Sequence, residues 1–189
     1  MANKIVSADG HMDLFYLPTD TFTSRVSAHM RDRVPRVIDI DGKPTWVGDG
    51  AQMGAHAAWM GRGQMTTHRG RRMAEAGWQP SHPPDPKWRL ADLDMDGVEA
   101  EVIYGIRFIE DSIKDPEVIA ATYHAYNDFI AEFSSYNPKR FIGIANIPAS
   151  SADAASAELR RVGKHGLGLR GAIIDWFNGP QPTWHTMWG

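Results

Sequence analysis

Three observations predict an α/β fold built on a parallel sheet. Four short apolar runs bounded by turn residues are spread along the 189 residues, and such runs read as interior strands. Two stretches with apolar residues every three or four positions separate the last three runs, the mark of helices with one buried face. Strand and helix patterns therefore alternate, and alternation with crossover helices gives a parallel sheet wrapped by helices. Two closures satisfy that pattern. One is a doubly wound open sheet; the other is part of a (β/α)₈ barrel, which in full needs about 250 residues.

The first strand is the run from Lys4 to Asp9 continuing to His11, "KIVSADGH". Residues two apart on a strand share a face, so Asp9 and His11 project together. A carboxylate beside an imidazole is a metal half-site, a hydrogen-bonded pair or a coincidence, and the pattern alone leaves all three open. The segment that follows is too long for an ordinary connection. Within it Thr21–Arg33 reads as an amphipathic helix. Arg36–Ile40 and Thr45–Val47 flank Asp41-Gly42-Lys43-Pro44, a hairpin with a breaker-rich turn. Gly48–Lys87 carries many Gly, Met, His, Trp, Arg and Pro residues without periodicity, and reads as an irregular insertion serving as a lid or as a contact arm for a second subunit.

The remaining elements follow in order. Arg89–Met95 is a short helix. Asp96-Gly97 leads into the second strand of the main sheet, Val98–Tyr104. A helix over Pro116–Tyr136 buries Ile119, Tyr123, Tyr126, Ile130 and Phe133, with Asp115 as its cap and proline at its first position. Asn137-Pro138 leads into a strand over Arg140–Pro148. Ser151 caps a helix running to Gly163, with Ala155, Leu159 and Val162 facing inward. The Gly166–Gly168 step opens a last strand, Leu169–Trp176.

Composition narrows the function. Hydrophobic residues make up 42% of the chain and the net charge is −3, enough for a core and without the basic face a nucleic-acid binder needs. Arg69–Arg72 is the one basic cluster, too short for a backbone tracker and read as a solvated loop or a structural anion contact. Cys is absent, which excludes disulfides and thiolate chemistry. No apolar stretch approaches the roughly 20 residues of a membrane span, and the start has no leader-like pattern. The expected compartment is the cytoplasm, with no nucleic-acid or membrane partner. Phosphate-loop, dinucleotide-binding and nucleophile-elbow patterns are missing where they would be needed.

Ligands of parallel α/β folds sit outside the carboxyl ends of the strands. Those ends carry Asp9 and His11 on the first strand, Tyr104 on the second, Asn146 on the third, and Asp175 and Trp176 on the fourth. His185 lies just beyond, in "PTWHTMWG". Each also has a packing or capping explanation; their common position is what marks them. Asp9 and His11 are the metal candidates, and Tyr104, Asn146, Asp175, Trp176 and His185 the substrate contacts. Two ligands alone do not hold a catalytic zinc, which takes about three plus water.

Four stretches resemble the amidohydrolase-related family typified by aminocarboxymuconate-semialdehyde decarboxylase. They are "VSADGHMDL", "RLADLDMDGVEAEVIYG", "YNDFIAEFSSYNPKRFIGIANIP" and "AELRRVGKHGLGLRGAIID". The resemblance implies a distorted (β/α)₈ barrel with one divalent ion at the strand tips, zinc first, with manganese or magnesium as alternatives. It puts Asp9 and His11 where the family has His-x-His; an aspartate at the first position suits harder ions. The family's later histidine ligands and its strand-eight aspartate have no counterpart here. The expected fold is accordingly a partial (β/α)₈ TIM-like barrel, strands one to four with a long insertion after strand one, as a single domain over 1–189 with 48–87 as the insertion. The implied function is a metal-dependent hydrolase or non-oxidative decarboxylase of a small unsaturated or aromatic acid, present as a truncated, inactive fragment that associates through its open edges into a homo-oligomer. The competing reading is a non-catalytic α/β binding or interaction module derived from that family.

Overall fold

The structure is a computed structural model, and it describes residues 4–56, 84–106, 109–163 and 165–174. Among the described residues, seven strands form two sheets. The main sheet holds β1 (Ile5–His11), β5 (Val98–Tyr104), β6 (Phe141–Ile147) and β7 (Gly171–Ile174) in the order β1-β5-β6-β7. Every pair in it is parallel. The second sheet is an antiparallel meander of β2 (Arg36–Ile40), β3 (Lys43–Gly48) and β4 (Ala51–Ala55). Four α-helices among the described residues accompany them: α1 (Pro86–Asp96), α2 (Ile109–Ser112), α3 (Pro116–Ser135) and α4 (Ala152–Val162). The parallel strands curl into half of a barrel, one of the two closures the alternation allowed and the one the family resemblance implied.

The connections have local causes. Asp85 caps α1 by accepting from the backbone N–H of Lys87 and Trp88 at 2.9 and 3.2 Å, and the helix closes on Gly97, one residue before β5 begins. Asp115 caps α3 through the Glu117 N–H at 2.8 Å. The same carboxylate takes a hydrogen bond from Arg33 at 2.8 Å, which holds its pKa below the ordinary aspartate value. Arg33 also grips Asp49, so one guanidinium ties the small sheet to the start of α3. The five residues expected to face inward on α3 are all buried.

Three expectations need correction. Thr21–Arg33 is a series of turns with one 3₁₀ turn at Ala28–Met30, not a helix. Ser24 and Thr21 hydroxyls accept the job of satisfying nearby carbonyls, donating to Asp20 and Pro18, the competition with the helix ladder that short polar residues introduce. The insertion is regular at its start, because Ala51–Ala55 adds a third strand to the hairpin; residues 57–83 lie outside the described residues. On α4 the inward residues are Ala155, Glu158 and Val162, while Leu159 is exposed. A buried glutamate took the place expected for the leucine because it has partners there.

One contiguous core joins both sheets. Phe22 packs edge-on against Trp46 at 5.8 Å, both fully buried, and this pair carries the small sheet into the cluster of Met12, Leu17, Ile103, Tyr126 and Ile130. Among the described residues no strand pairs with the outer edge of β1, where Ile5 and Val6 remain about half exposed.

Candidate functional site

The tip of β1 is irregular in a way that shapes the site. Ser7 pairs with Glu101 and Gly10 with Ile103, so Ala8 and Asp9 together oppose the single Val102. Such a bulge bends the strand and re-aims its side chains, and is common beside functional sites. Past it the ladder resumes: His11 stands opposite Tyr104, and the Met12 N–H donates to the Tyr104 carbonyl at 2.8 Å.

Asp9 and His11 do project together. His11 Nε2 lies 3.3 Å from Asp9 Oδ1, and Nδ1 lies 3.4 Å from Asp13 Oδ1. The imidazole thus sits between two carboxylates. A neutral imidazole carries one N–H, so it can serve only one of them, and the other faces a lone pair. That is an arrangement a cation relieves. The 3.3 Å between Nε2 and Oδ1 also fits two ligands each about 2.1 Å from one ion, at an angle of about 100°. Both side chains are open to solvent, Asp9 more so than His11. The donor set therefore fits a divalent ion as a half-site. Asp13 faces the far ring nitrogen and does not converge on the same point; among the described residues no group of three or more His, Asp or Glu side chains could hold a metal. Asp13 was not singled out by the sequence reading, although its spacing two residues beyond His11 was the available signal.

The neighbouring tips are placed as follows. The Tyr104 ring lies 6.2 Å from the His11 ring, tilted by 40°. Asn146 is the next-to-last residue of β6 and is buried; its side-chain amide donates to the Ile106 carbonyl, and its Oδ1 is buried without a partner. Asn127 from α3 clamps the same residue from behind, accepting from the Asn146 N–H and donating to its carbonyl, both at 2.8 Å. Asp175, Trp176 and His185 lie outside the described residues. Between the tips of β5 and β6 the Tyr126 hydroxyl is wholly buried without a partner, and burial drives its pKa far above the ordinary phenol value. Gly105 is required here: a Cβ would stand 2.2 Å from the Tyr126 ring.

A second network lies behind the tips. Buried Glu158 accepts from Asn127 at 2.6 Å, from Arg161 through two nitrogens at 2.7 Å, and faces His124 Nε2 at 3.0 Å. Burial alone would raise its carboxyl; the bonds from Arg161, His124 and Asn127 more than reverse this and hold it at about 2. His124 is half-exposed and belongs to this network.

A curled parallel sheet with an acid–imidazole pair at the end of its first strand fits the partial barrel that the family resemblance implied. Comparison with known proteins agrees. No family model matches the chain. It is 32% identical over 77 residues to 2-amino-3-carboxymuconate-6-semialdehyde decarboxylase of Dictyostelium discoideum, covering 41% of this chain and 21% of that protein. It is 32% identical over 115 residues to gamma-resorcylate decarboxylase of a Polaromonas species, covering 56% of this chain and 35% of that protein. Among solved structures, an amidohydrolase from Mycobacterium avium subsp. paratuberculosis superposes on 92% of this chain and 50% of its own, with TM-score 0.67 and 17% identity. A dihydroxybenzoic acid decarboxylase from Polaromonas with bound manganese and 2-nitroresorcinol superposes on 98% of this chain and 44% of its own, with TM-score 0.51 and 18% identity. Over part of its length the chain is similar to these two decarboxylases, and it shares its fold with part of the amidohydrolase and decarboxylase structures. It spans half or less of the length of each of these proteins. Among the described residues no helix is long and apolar enough to cross a membrane.

Proposed function

We propose that this chain carries the first-strand half of a divalent-metal centre that acts on a small aromatic or unsaturated carboxylic acid, with non-oxidative decarboxylation as the favoured reaction and hydrolysis as the alternative. The observation that carries the reading is the convergence of Asp9 Oδ1 and His11 Nε2 to 3.3 Å at the open tip of β1. The two similar curated proteins are both decarboxylases, which is why decarboxylation leads. Asp9 and His11 would hold the ion. When bound, the ion supplies a positive centre that polarises a carboxylate or phenolate oxygen of the acid.

The chain's own groups then bind and orient. The Tyr104 ring, beside His11, offers a flat apolar wall to an aromatic acid. Asn146 offers Oδ1, its uncommitted atom, as an acceptor for a substrate hydroxyl. Asp175, Trp176 and His185, which follow the fourth strand of the main sheet in the sequence, are the further proposed substrate contacts. The carboxylate in the pair favours manganese or magnesium over what two imidazoles would select, and the manganese in the Polaromonas decarboxylase supports the same choice; zinc is the alternative. The open, apolar edge at Ile5 and Val6 supports association with a second copy.

The test is metal content and affinity. Purified protein equilibrated with Mn²⁺ is expected to retain the ion, and Asp9→Ala and His11→Ala to lose it, by elemental analysis and titration calorimetry. Wild type and both variants with the same ion content would leave the non-catalytic module as the surviving reading.

A further inference from the structure

A buried ion pair lies directly beneath the tip of β1 and belongs to neither the proposed metal ligands nor the substrate contacts. Arg89 of α1 grips Glu101 of β5 through two parallel bonds, Nε to Oε2 at 2.8 Å and Nη2 to Oε1 at 2.7 Å. Both side chains are nearly buried, at 12% and 9% exposure. Its remaining arm, Nη1, donates to the backbone carbonyl of His11 at 3.0 Å. The pair also occupies the space that Gly10 leaves. A Cβ on Gly10 would meet Glu101 Oε1 at 2.2 Å and two further Glu101 atoms within 2.6 Å. Glycine between Asp9 and His11 is thus the residue that admits the glutamate.

Desolvating such a pair is expensive, and apolar residues of the same volume often stabilise a fold as well or better. Stability alone therefore does not account for it. What the pair does that a leucine could not is bond the strand at His11, immediately past the bulge, from a helix packed on the next strand. The bidentate fork leaves Arg89 little freedom, so the third bond is delivered from a fixed point.

We infer that the Arg89–Glu101 pair is a positioning device that sets the direction of the His11 imidazole at the tip of β1. Its consequence for metal binding rests on the reading of Asp9 and His11 as ion ligands. Neither Arg89 nor Glu101 touches ion or substrate; both act through the His11 main chain.

The experiment separates the two layers. The ring nitrogen resonances of His11, assigned by their loss in His11→Ala, are followed in the full chain without metal. Arg89→Lys, which keeps the charge but loses the fork, is expected to shift or broaden them. Arg161→Lys, which disturbs the other buried guanidinium–glutamate pair, is expected to leave them in place. Glu101→Gln, which preserves shape, is the second variant should Arg89→Lys fail to fold, and is expected to move the same resonances. Unchanged His11 resonances in the folded Arg89 or Glu101 variant would overturn the inference. Mn²⁺ titration of the same proteins reads the second layer: Arg89→Lys should weaken binding about tenfold, as loss of support behind metal ligands does, with Arg161→Lys unaffected. Shifted resonances in Arg89→Lys together with Mn²⁺ binding that His11→Ala does not weaken would support the positioning role and sink the metal reading alone.

Discussion

Replacing Glu158 by glutamine should remove most of the chain's acid sensitivity that originates behind the strand tips. The carboxyl is held at about 2 against an ordinary value of 4.5. Because its folded value is depressed, its contribution is fully present above about pH 4.5 and is lost as pH falls towards 2. A shift of that size corresponds to about 3 kcal/mol at neutral pH, about 2 at pH 3.5 and under about 1 at pH 2.5. Breaking a buried pair from one side has a similar magnitude, about 3 kcal/mol or more. Arg161 is not abandoned in the variant, since Asp128 still accepts from it at 2.5 Å. Urea unfolding of wild type and Glu158→Gln, followed by circular dichroism at pH 7, 3.5 and 2.5, gives the difference directly. The difference should shrink steadily with acid. A difference that stays constant with pH, or that is absent at pH 7, would show that the network does not hold the carboxyl down.

Other substitutions probe the same region. Gly105→Ala should destabilise by about 3 kcal/mol in denaturant titration, because the Tyr126 ring at 2.2 Å from the new Cβ is itself buried and has nowhere to go. Tyr126→Phe should be neutral or slightly stabilising in the same assay, since the hydroxyl it removes is buried without a partner; a loss above about 1 kcal/mol would reveal a bonded water or ligand. Asn127→Ala should cost about 3 kcal/mol in urea unfolding, as it strips a partner from the Asn146 N–H, the Asn146 carbonyl and Glu158 together.

What could be read in the sequence was what depends on neighbours along the chain. Pro116–Ser135 announced itself through an aspartate cap, a proline at its first position and apolar spacing, and Val98–Tyr104 through Asp96-Gly97 and a β-branched run. The shared direction of Asp9 and His11 followed from strand geometry and survives although Asp9 is itself part of the bulge and His11 lies just past it. What could not be read was what depends on partners distant in sequence. Ala51–Ala55 has no β-branched residue and becomes a strand only because Lys43–Gly48 presents an edge to it. Glu158 has a local partner in Arg161, one turn along its helix, but only the fold brings Asn127 and His124 of the neighbouring helix to it. The Arg89–Glu101 pair is likewise invisible: the arginine looks like a helix-surface residue and the glutamate like the exposed position of a strand. Gly10 read as part of a motif, when its physical role is the room it leaves for Glu101.

The central claim is that a divalent ion sits between Asp9 and His11 at the tip of β1. Mn²⁺ broadens nuclear resonances near its binding site, so adding it to the isotope-labelled chain maps that site residue by residue. Broadening centred on Asp9 to Asp13 and on Tyr104, removed by His11→Ala, is the predicted result. Broadening centred elsewhere, or the same pattern in the His11 variant, would contradict the account.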